Sequence, residues 1–375
     1  IKRIPHAVTD KFYGCGNPIP LGIQGRSVLD LGSGSGRDCY VAASLVGPQG
    51  SVVGVDMTDE QLQTARESIA AYSQALGYTP NLKFLTGYIE SLAETGVAKE
   101  SIDVCISNCV INLSPDKPRV LKGVYESLRS GGEMYFSDVY ADSQLPDSVR
   151  THDVLLGECL AGALYSKEFE QIASDIGFAL PRVLSISHID VHDVELKKLV
   201  GDTKFYSITY RLFKVSQPDG ERELDQGQTA TYLGTIEGHE NEYTLDVNNV
   251  FPKGVPVKVS GNTAAVLTSS WLAGYFEVTA GSTGSESQAE MSIQSTESLM
   301  AKATLAAPCG TSSSASSGCC KPKTDEPSCC KPKTEGPSCC GSKKQPSGCC
   351  PPKEKLVGGC APGDTATGCC KPKAK

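Results

Sequence analysis

Residues 28–37 (VLDLGSGSGR) run a short apolar segment into three glycines at alternate positions. Glycines there let the backbone turn tightly and approach a ligand with no Cβ in the way. Asp56 closes a second apolar run, 20 residues after Gly36. A carboxylate at that point can accept hydrogen bonds from both hydroxyls of a ribose. Asp30 stands two residues before the first glycine, and its charge discriminates between cofactors. A pyrophosphate held at a helix N-terminus would be repelled by a carboxylate beside it. S-adenosylmethionine has no phosphate and presents an ammonium and a sulfonium, for which a nearby Asp is favourable. A nucleotide-phosphate site is the alternative, and a glycine turn with no ligand is the blander one.

Thiols are the second group that could do chemistry. Residues 1–298 hold Cys15, Cys39, Cys105, Cys109 and Cys159. Cys39 and Cys105 fall inside a helix-like and a strand-like run, where buried small apolar residues are the ordinary reading. Cys109 follows a strand, at the edge where open α/β sheets bind ligands, and a thiol there suggests a soft substrate. Cys159 lies in a patch rich in small residues, and Cys15 between two glycines. No CxxC spacing occurs among these five, so zinc is poorly supported. His188 and His192 lie four apart in a strand-like stretch and make a weak metal pair.

Elements that would position these groups alternate along the chain. Strand-like runs at residues 27–31, 52–57, 82–86, 102–107 and 133–138 are interleaved with helix-like runs at 37–45, 59–76 and 117–128, which predicts an α/β domain with a largely parallel sheet. Residues 143–177 read as helical. Residues 183–189 and 205–215 read as late antiparallel strands. After the turn signal at residues 217–220, residues 221–280 read as a small separate module containing Trp271, and residues 280–300 as a Ser/Thr/Glu-rich linker.

Composition changes sharply near residue 299. From there to Lys375 the chain has 12 Lys and 5 acids, a balance of +7, against −8 for the whole chain, so residues 1–298 carry −15. The acidic body argues against a nucleic-acid surface. No uninterrupted apolar run of 18 residues exists, which argues against a spanning helix. The last 77 residues hold 12 of the 17 Cys but no Phe, Tyr, Trp or Ile, a composition expected to be disordered. Cysteine pairs at 319/320, 329/330, 339/340 and 349/350 repeat every ten residues. The chain opens Ile1-Lys2-Arg3 without Met and without a signal-like apolar stretch. The expectation is a fragment lacking its own N-terminus, in a reducing cytoplasm where such thiols suit metal or metalloid binding.

The glycine segment with Asp30 and Asp56 resembles motif I of class I S-adenosylmethionine-dependent methyltransferases. By that resemblance Asp30, Gly32, Ser33, Gly34, Arg37 and Asp56 hold the cofactor, with Tyr13 among its contacts. Met57 would pack on the adenine, Ile89 and Glu90 would lie at its edge, and Asn108 and Val110 would line the methionine moiety. The motifs at residues 13–16 (YGCG), 29–39 (LDLGSGSGRDC), 107–113 (SNCVINL), 135–140 (YFSDVY) and 157–165 (GECLAGALY) together resemble arsenite S-adenosylmethionine methyltransferases. The resemblance runs from about Tyr13 to Val215, and more loosely to about residue 280. It maps As(III) onto Cys15, Cys109 and Cys159. Beside Cys159, Glu158 is placed to assist thiol deprotonation or thiolate loss, a solvated carboxylate being the plainer reading. A further cysteine of that family lies upstream of Cys15, before this sequence begins.

The resemblance implies a Rossmann-like class I methyltransferase sheet in residues 1–145 and an arsenite-binding region in 146–217. A small C-terminal α+β domain follows in 218–285, then linker and disordered Cys-rich tail in 286–375. It implies a cytoplasmic monomer that methylates arsenite and methylarsenite, draws on glutathione or a thioredoxin-type reductant, and uses neither nucleic acid nor membrane. The tail would serve as a reservoir of soft ligands. Two other readings stay open: a methyltransferase for an organic small molecule, and a thiol-rich sequestration protein.

Overall fold

Apolar runs flanked by glycine-terminated helices build one large mixed sheet. In the computed structural model the described residues are 3–306, apart from 10–13, 15, 158, 219, 221 and 282–288. Tyr13, Cys15, Glu158 and the cysteine repeats therefore lie outside them. The chain divides into two units, residues 1–310 and 311–375, and every described residue belongs to the first.

The first half runs α1 (His6–Thr9), β1 (Ser27–Leu31), α2 (Arg37–Val46), β2 (Ser51–Asp56), α3 (Asp59–Leu76), β3 (Leu82–Thr86), β4 (Ile102–Asn108), α4 (Lys117–Ser127) and β5 (Leu128–Ala141). Then come α5 (Asp147–Arg150), α6 (Asp153–Gly157), β6 (Leu164–Tyr165), α7 (Ser166–Ile176), β7 (Arg182–Ile189), α8 (Val194–Val200) and β8 (Phe205–Phe213). The sheet order is β3-β2-β1-β4-β5-β8-β7, with β6 paired to β5. The strands are parallel from β3 to β5, and β8 runs antiparallel to both β5 and β7. Central strands buried on both faces need apolar residues throughout. Accordingly Val28, Leu29 and Leu31 of β1 are all at most 1% exposed. Chain order reverses between β1 and β4, and that reversal opens a crevice at their C-terminal ends.

Three expectations differ from the structure. Residues 143–177 are not one helix: Pro146, Gly157 and a left-handed Cys159 interrupt it, and Leu164 pairs with Tyr140 of β5. The strand expected at 133–138 runs over 14 residues, because β8 offers it a nine-residue antiparallel partner. Residues 296–306, placed in the linker and tail, form α10 (Thr296–Ala306), whose Leu299 and Met300 are buried.

The C-terminal residues form β9 (Asp225–Tyr232), β10 (Glu242–Asp246), β11 (Asn249–Pro252), β12 (Pro256–Ser260), α9 (Gly261–Ser269) and β13 (Phe276–Thr279). The order β12-β9-β13 makes a three-stranded antiparallel sheet, beside the β10-β11 hairpin. This α+β region was read as a separate module, yet it shares a core with the large sheet. Arg211 of β8 joins the two: it pairs with Glu133 of β5 at 2.5 and 3.0 Å and donates to Tyr243 Oη at 3.0 Å. Trp271 donates its indole N–H to the same Glu133 at 2.8 Å. Arg182 reaches Asp246 at 2.8 Å. Among the described residues no helix is long and apolar enough to cross a membrane.

Candidate functional site

A cleft of about 970 Å³ opens where β1 and β4 end. One wall is the glycine loop. Gly32 and Ser33 donate their N–H groups to the Val55 carbonyl at 2.8 and 3.0 Å, which pins the loop to β2. Gly32 has φ +67°, and a Cβ on it would lie 2.4 Å from Val110, so only glycine leaves room for Val110 there. Asp56 accepts N–H bonds from Gly34 and Thr58, both at 2.8 Å, one on each carboxylate oxygen. Each oxygen keeps acceptor capacity for a hydroxyl.

Two further carboxylates face this wall. Asp30 is 4% exposed and accepts the Cys39 thiol at 3.1 Å. Burial raises its pKa well above the carboxylate range, and neighbouring Asp38 and Asp56 add to the rise. Asp38 is also raised, chiefly by burial, although Asn108 and Arg37 bond to it and oppose the shift. The Asn108 amide donates to Asp38 at 3.2 Å and to the Gly16 carbonyl at 3.1 Å. That ties the YGCG segment to the cleft, whose lining includes Gly14.

Three carboxylates converging in a partly buried cleft disfavour an anion and favour a cation. Among the described residues Ser33 Oγ and Gln61 Oε1 are buried there without a hydrogen-bond partner, as expected of groups that await a polar ligand. The donor set fits S-adenosylmethionine: Asp30 and Asp38 suit its cationic end, and Asp56 suits its ribose.

The other wall carries thiols. Cys109 follows β4, donates its N–H to the Ser137 carbonyl at 2.8 Å, and has φ +56°. Cys159 has φ +60°, and its thiol donates to the Cys109 carbonyl at 3.4 Å. Only Cys109, Cys159 and Glu100 among the described non-glycine residues adopt positive φ. Such backbone costs ~1–2 kcal/mol per residue and persists where surrounding structure imposes it. Two cysteines 50 residues apart are thus held side by side in strained turns lining this cleft. Cys109 is disulfide-bonded. Cys39 and Cys105 are free and fully buried, as their places in a helix and a strand suggested.

Asp30, Gly32, Ser33, Gly34, Arg37, Asp56, Asn108, Cys109, Val110 and Cys159 all line this one cleft. Met57, Ile89 and Glu90 do not. Met57 is 66% exposed, Ile89 is buried in the core, and Glu90 bonds to the Ser114 hydroxyl. Sequence reasoning missed Asp38, Gln61 and the loop at 189–193, which also line the cleft. Asp38 had a weak signal as the acid beside Arg37, with which it pairs at 2.9 Å. The 189–193 loop had none, because only the antiparallel return of β7 and β8 brings it there.

Fold and cleft together define a class I S-adenosylmethionine-dependent methyltransferase. Residues 24–177 match the family described as a methyltransferase domain, and residues 225–330 the arsenite methyltransferase C-terminal domain. The arsenite methyltransferase of Rattus norvegicus is 45% identical over 276 residues, covering 73% of this chain and 73% of that protein. That of Aquipseudomonas alcaligenes is 46% identical over 277 residues, covering 74% and 80%. The crystal structure of an arsenic(III) S-adenosylmethionine methyltransferase from Chlamydomonas reinhardtii shares 53% identity and a TM-score of 0.73, covering 76% of this chain and 95% of that one. The chain belongs to the arsenite methyltransferase family.

Proposed function

We infer that this chain methylates trivalent arsenic with S-adenosylmethionine, and that Cys109 and Cys159 hold the arsenic while Asp30, Asp38 and Asp56 hold the cofactor. The observation that carries this reading is the pair of left-handed cysteines beside the carboxylate-lined cleft. As(III) is soft and thiophilic. Arsenite exchanges hydroxides for thiolates here: each S–H proton leaves with an arsenic-bound hydroxide as water, and an As–S bond forms. Thiolate coordination leaves the arsenic lone pair available. When bound, S-adenosylmethionine supplies an electrophilic methyl group and leaves as a neutral thioether. What the protein contributes is alignment of the lone pair with that methyl, and exclusion of water by the 189–193 loop. Cys15, mapped by the resemblance onto the same chemistry, and Glu158, the carboxylate next to Cys159 in sequence, complete the proposed set.

The Cys109 disulfide must open before arsenic binds. Two thiols of a donor reduce it and leave as their own disulfide, which supports glutathione or a thioredoxin-type protein as the reductant. A site dependent on reduced thiols suits the cytoplasm. The cysteine pairs of residues 319–350 fit a reservoir for arsenite, with lysines beside them favouring thiolate.

The test is incubation with S-adenosylmethionine, arsenite and excess thiol, followed by arsenic speciation by mass spectrometry. Methylated arsenic is expected from the full chain and from a chain ended after residue 310. Cys109→Ser and Cys159→Ser should each abolish it while retaining cofactor binding. A Cys109→Ser chain with wild-type turnover would sink the assignment. The shortened chain should also bind fewer equivalents of arsenite.

A further inference from the structure

Local backbone bonds shape the Cys109 loop and the Cys159 turn, and contacts from outside each segment set one against the other. Three residues beyond Cys109, Asn112 donates its N–H to Asp138 Oδ2 at 3.1 Å and its side-chain amide to the Val139 carbonyl at 2.6 Å. Asn112 is 3% exposed and Asp138 1%. The Asn112 carbonyl is the seat for the Cys159 turn. A Cβ added to Gly162 would lie 1.9 Å from that oxygen, so the two backbones touch where only glycine permits it. Asn112 thereby indexes one thiol segment against the other, and Asp138 of β5 fixes Asn112. Cys109 itself is pinned one residue earlier on the same strand, at the Ser137 carbonyl.

We propose that Asp138 is a positioning residue for the arsenic site: its carboxylate clamps Asn112 and so sets the spacing of Cys109 and Cys159. The inference rests on the reading of those cysteines as the arsenic thiols. The second oxygen of Asp138 accepts the Val139 N–H at 2.8 Å, and the Ile111 N–H also bonds to the carboxylate, so the anion holds the backbone on both sides of Asn112. Adding a proton gives one oxygen an O–H donor in place of an acceptor lone pair and removes the charge that strengthens these bonds, so the clamp weakens.

The charged surroundings are definite. Lys117, in the first turn of α4, is the cation that faces Asp138, and it donates to the Ser114 carbonyl at 3.0 Å. Tyr140 faces it from its own strand. Around Lys117 stand Glu90, Arg150 and Glu168, and Glu168 Oε2 is buried without a hydrogen-bond partner among the described residues. Burial pushes the Asp138 pKa up to about 7, against the pull of the backbone N–H groups and Lys117. The carboxylate form, and with it the clamp, is lost as pH falls through that value.

The experiment follows methylarsenical formation from arsenite between about pH 6 and 9, with saturating S-adenosylmethionine and excess thiol. It compares wild type, Asp138→Asn and Lys117→Met, with cofactor affinity measured by calorimetry. Saturating cofactor keeps Asp30 and Asp38 out of the profile. Wild type should show an acid limb near 7. Asp138→Asn should bind cofactor normally, turn over roughly 10–100-fold slower on the alkaline plateau, as small misplacements of reacting groups do, and lack that limb. Lys117→Met should keep the plateau and move the limb to higher pH, because the carboxylate has lost its cation. Asp138→Asn with wild-type rate and profile overturns the inference. If Asp138→Asn fails to fold, Lys117→Met decides: a limb that moves up supports the clamp, and one that stays overturns it. A wild type that binds cofactor yet makes no methylated arsenic at any pH overturns the arsenic reading, and this inference with it.

Discussion

Asp30 sets folding against binding at a single residue. It is buried, bonded to the Cys39 thiol, and its like-charged neighbours Asp38 and Asp56 raise its pKa further. A carboxyl whose folded pKa lies above its unfolded value makes the native state bind more protons, so its ionisation costs stability as pH rises. A cationic ligand reverses that cost. Asp30→Asn should therefore raise the melting temperature of the ligand-free protein at alkaline pH, measured by calorimetry. The same change should weaken S-adenosylmethionine binding about 10–100-fold, matching the ~1.5–3 kcal/mol of a hydrogen bond to a charged group. In the wild type, affinity should fall as pH falls, beginning above the range in which an ordinary carboxylate titrates. A variant that lost affinity and gained no stability would show that Asp30 is not strained by burial.

Loops between elements, rather than the strands themselves, set the geometry of the thiols. The Cys109 loop hangs from β5 by Ser137, Asp138 and Val139, and the Cys159 turn rests on it at Gly162. Gly162→Ala must force the two backbones apart, because the group in the way is a carbonyl oxygen with no rotamer to change. The expected result is about 100-fold slower methyl transfer to arsenic, the scale of a misplacement near 1 Å. Cofactor affinity should stay within about twofold, since the glycine loop is held separately by Val55 and Asp56. Loss of cofactor binding would mean that the two walls of the cleft are mechanically one.

At the scale of the whole molecule, the C-terminal sheet is joined to the catalytic sheet through Glu133. This carboxylate accepts two bonds from Arg211 and one from Trp271, and its residue is 0% exposed. Removing one partner of a buried pair leaves an uncompensated charge and costs about 3–5 kcal/mol. Arg211→Met should show that loss in denaturant unfolding. Combining it with Glu133→Met should recover most of it, because no lone charge then remains. If the double variant is no more stable than the single one, the pair's role is packing against Tyr135, Phe213 and Tyr243, over whose rings the guanidinium lies.

The sequence by itself determined what is local. Alternating apolar runs and glycine stops marked most strands and helices of the large sheet, and the glycine loop with Asp30 and Asp56 marked one wall of the cleft. Cys39 and Cys105 were legible as core residues from the elements that contain them. Tertiary structure alone decided what depends on distant partners. It brought Cys159 against the Cys109 carbonyl across 50 residues of chain and turned Asp38 toward Asn108. It set the Glu90 carboxylate against the Ser114 hydroxyl. It also made a helix of residues 296–306, whose apolar residues acquire a face only against β7. The physical reason is range: backbone propensity and hydrophobic period act over a few residues. Strained turns and buried carboxylates persist only because the assembled sheet imposes them.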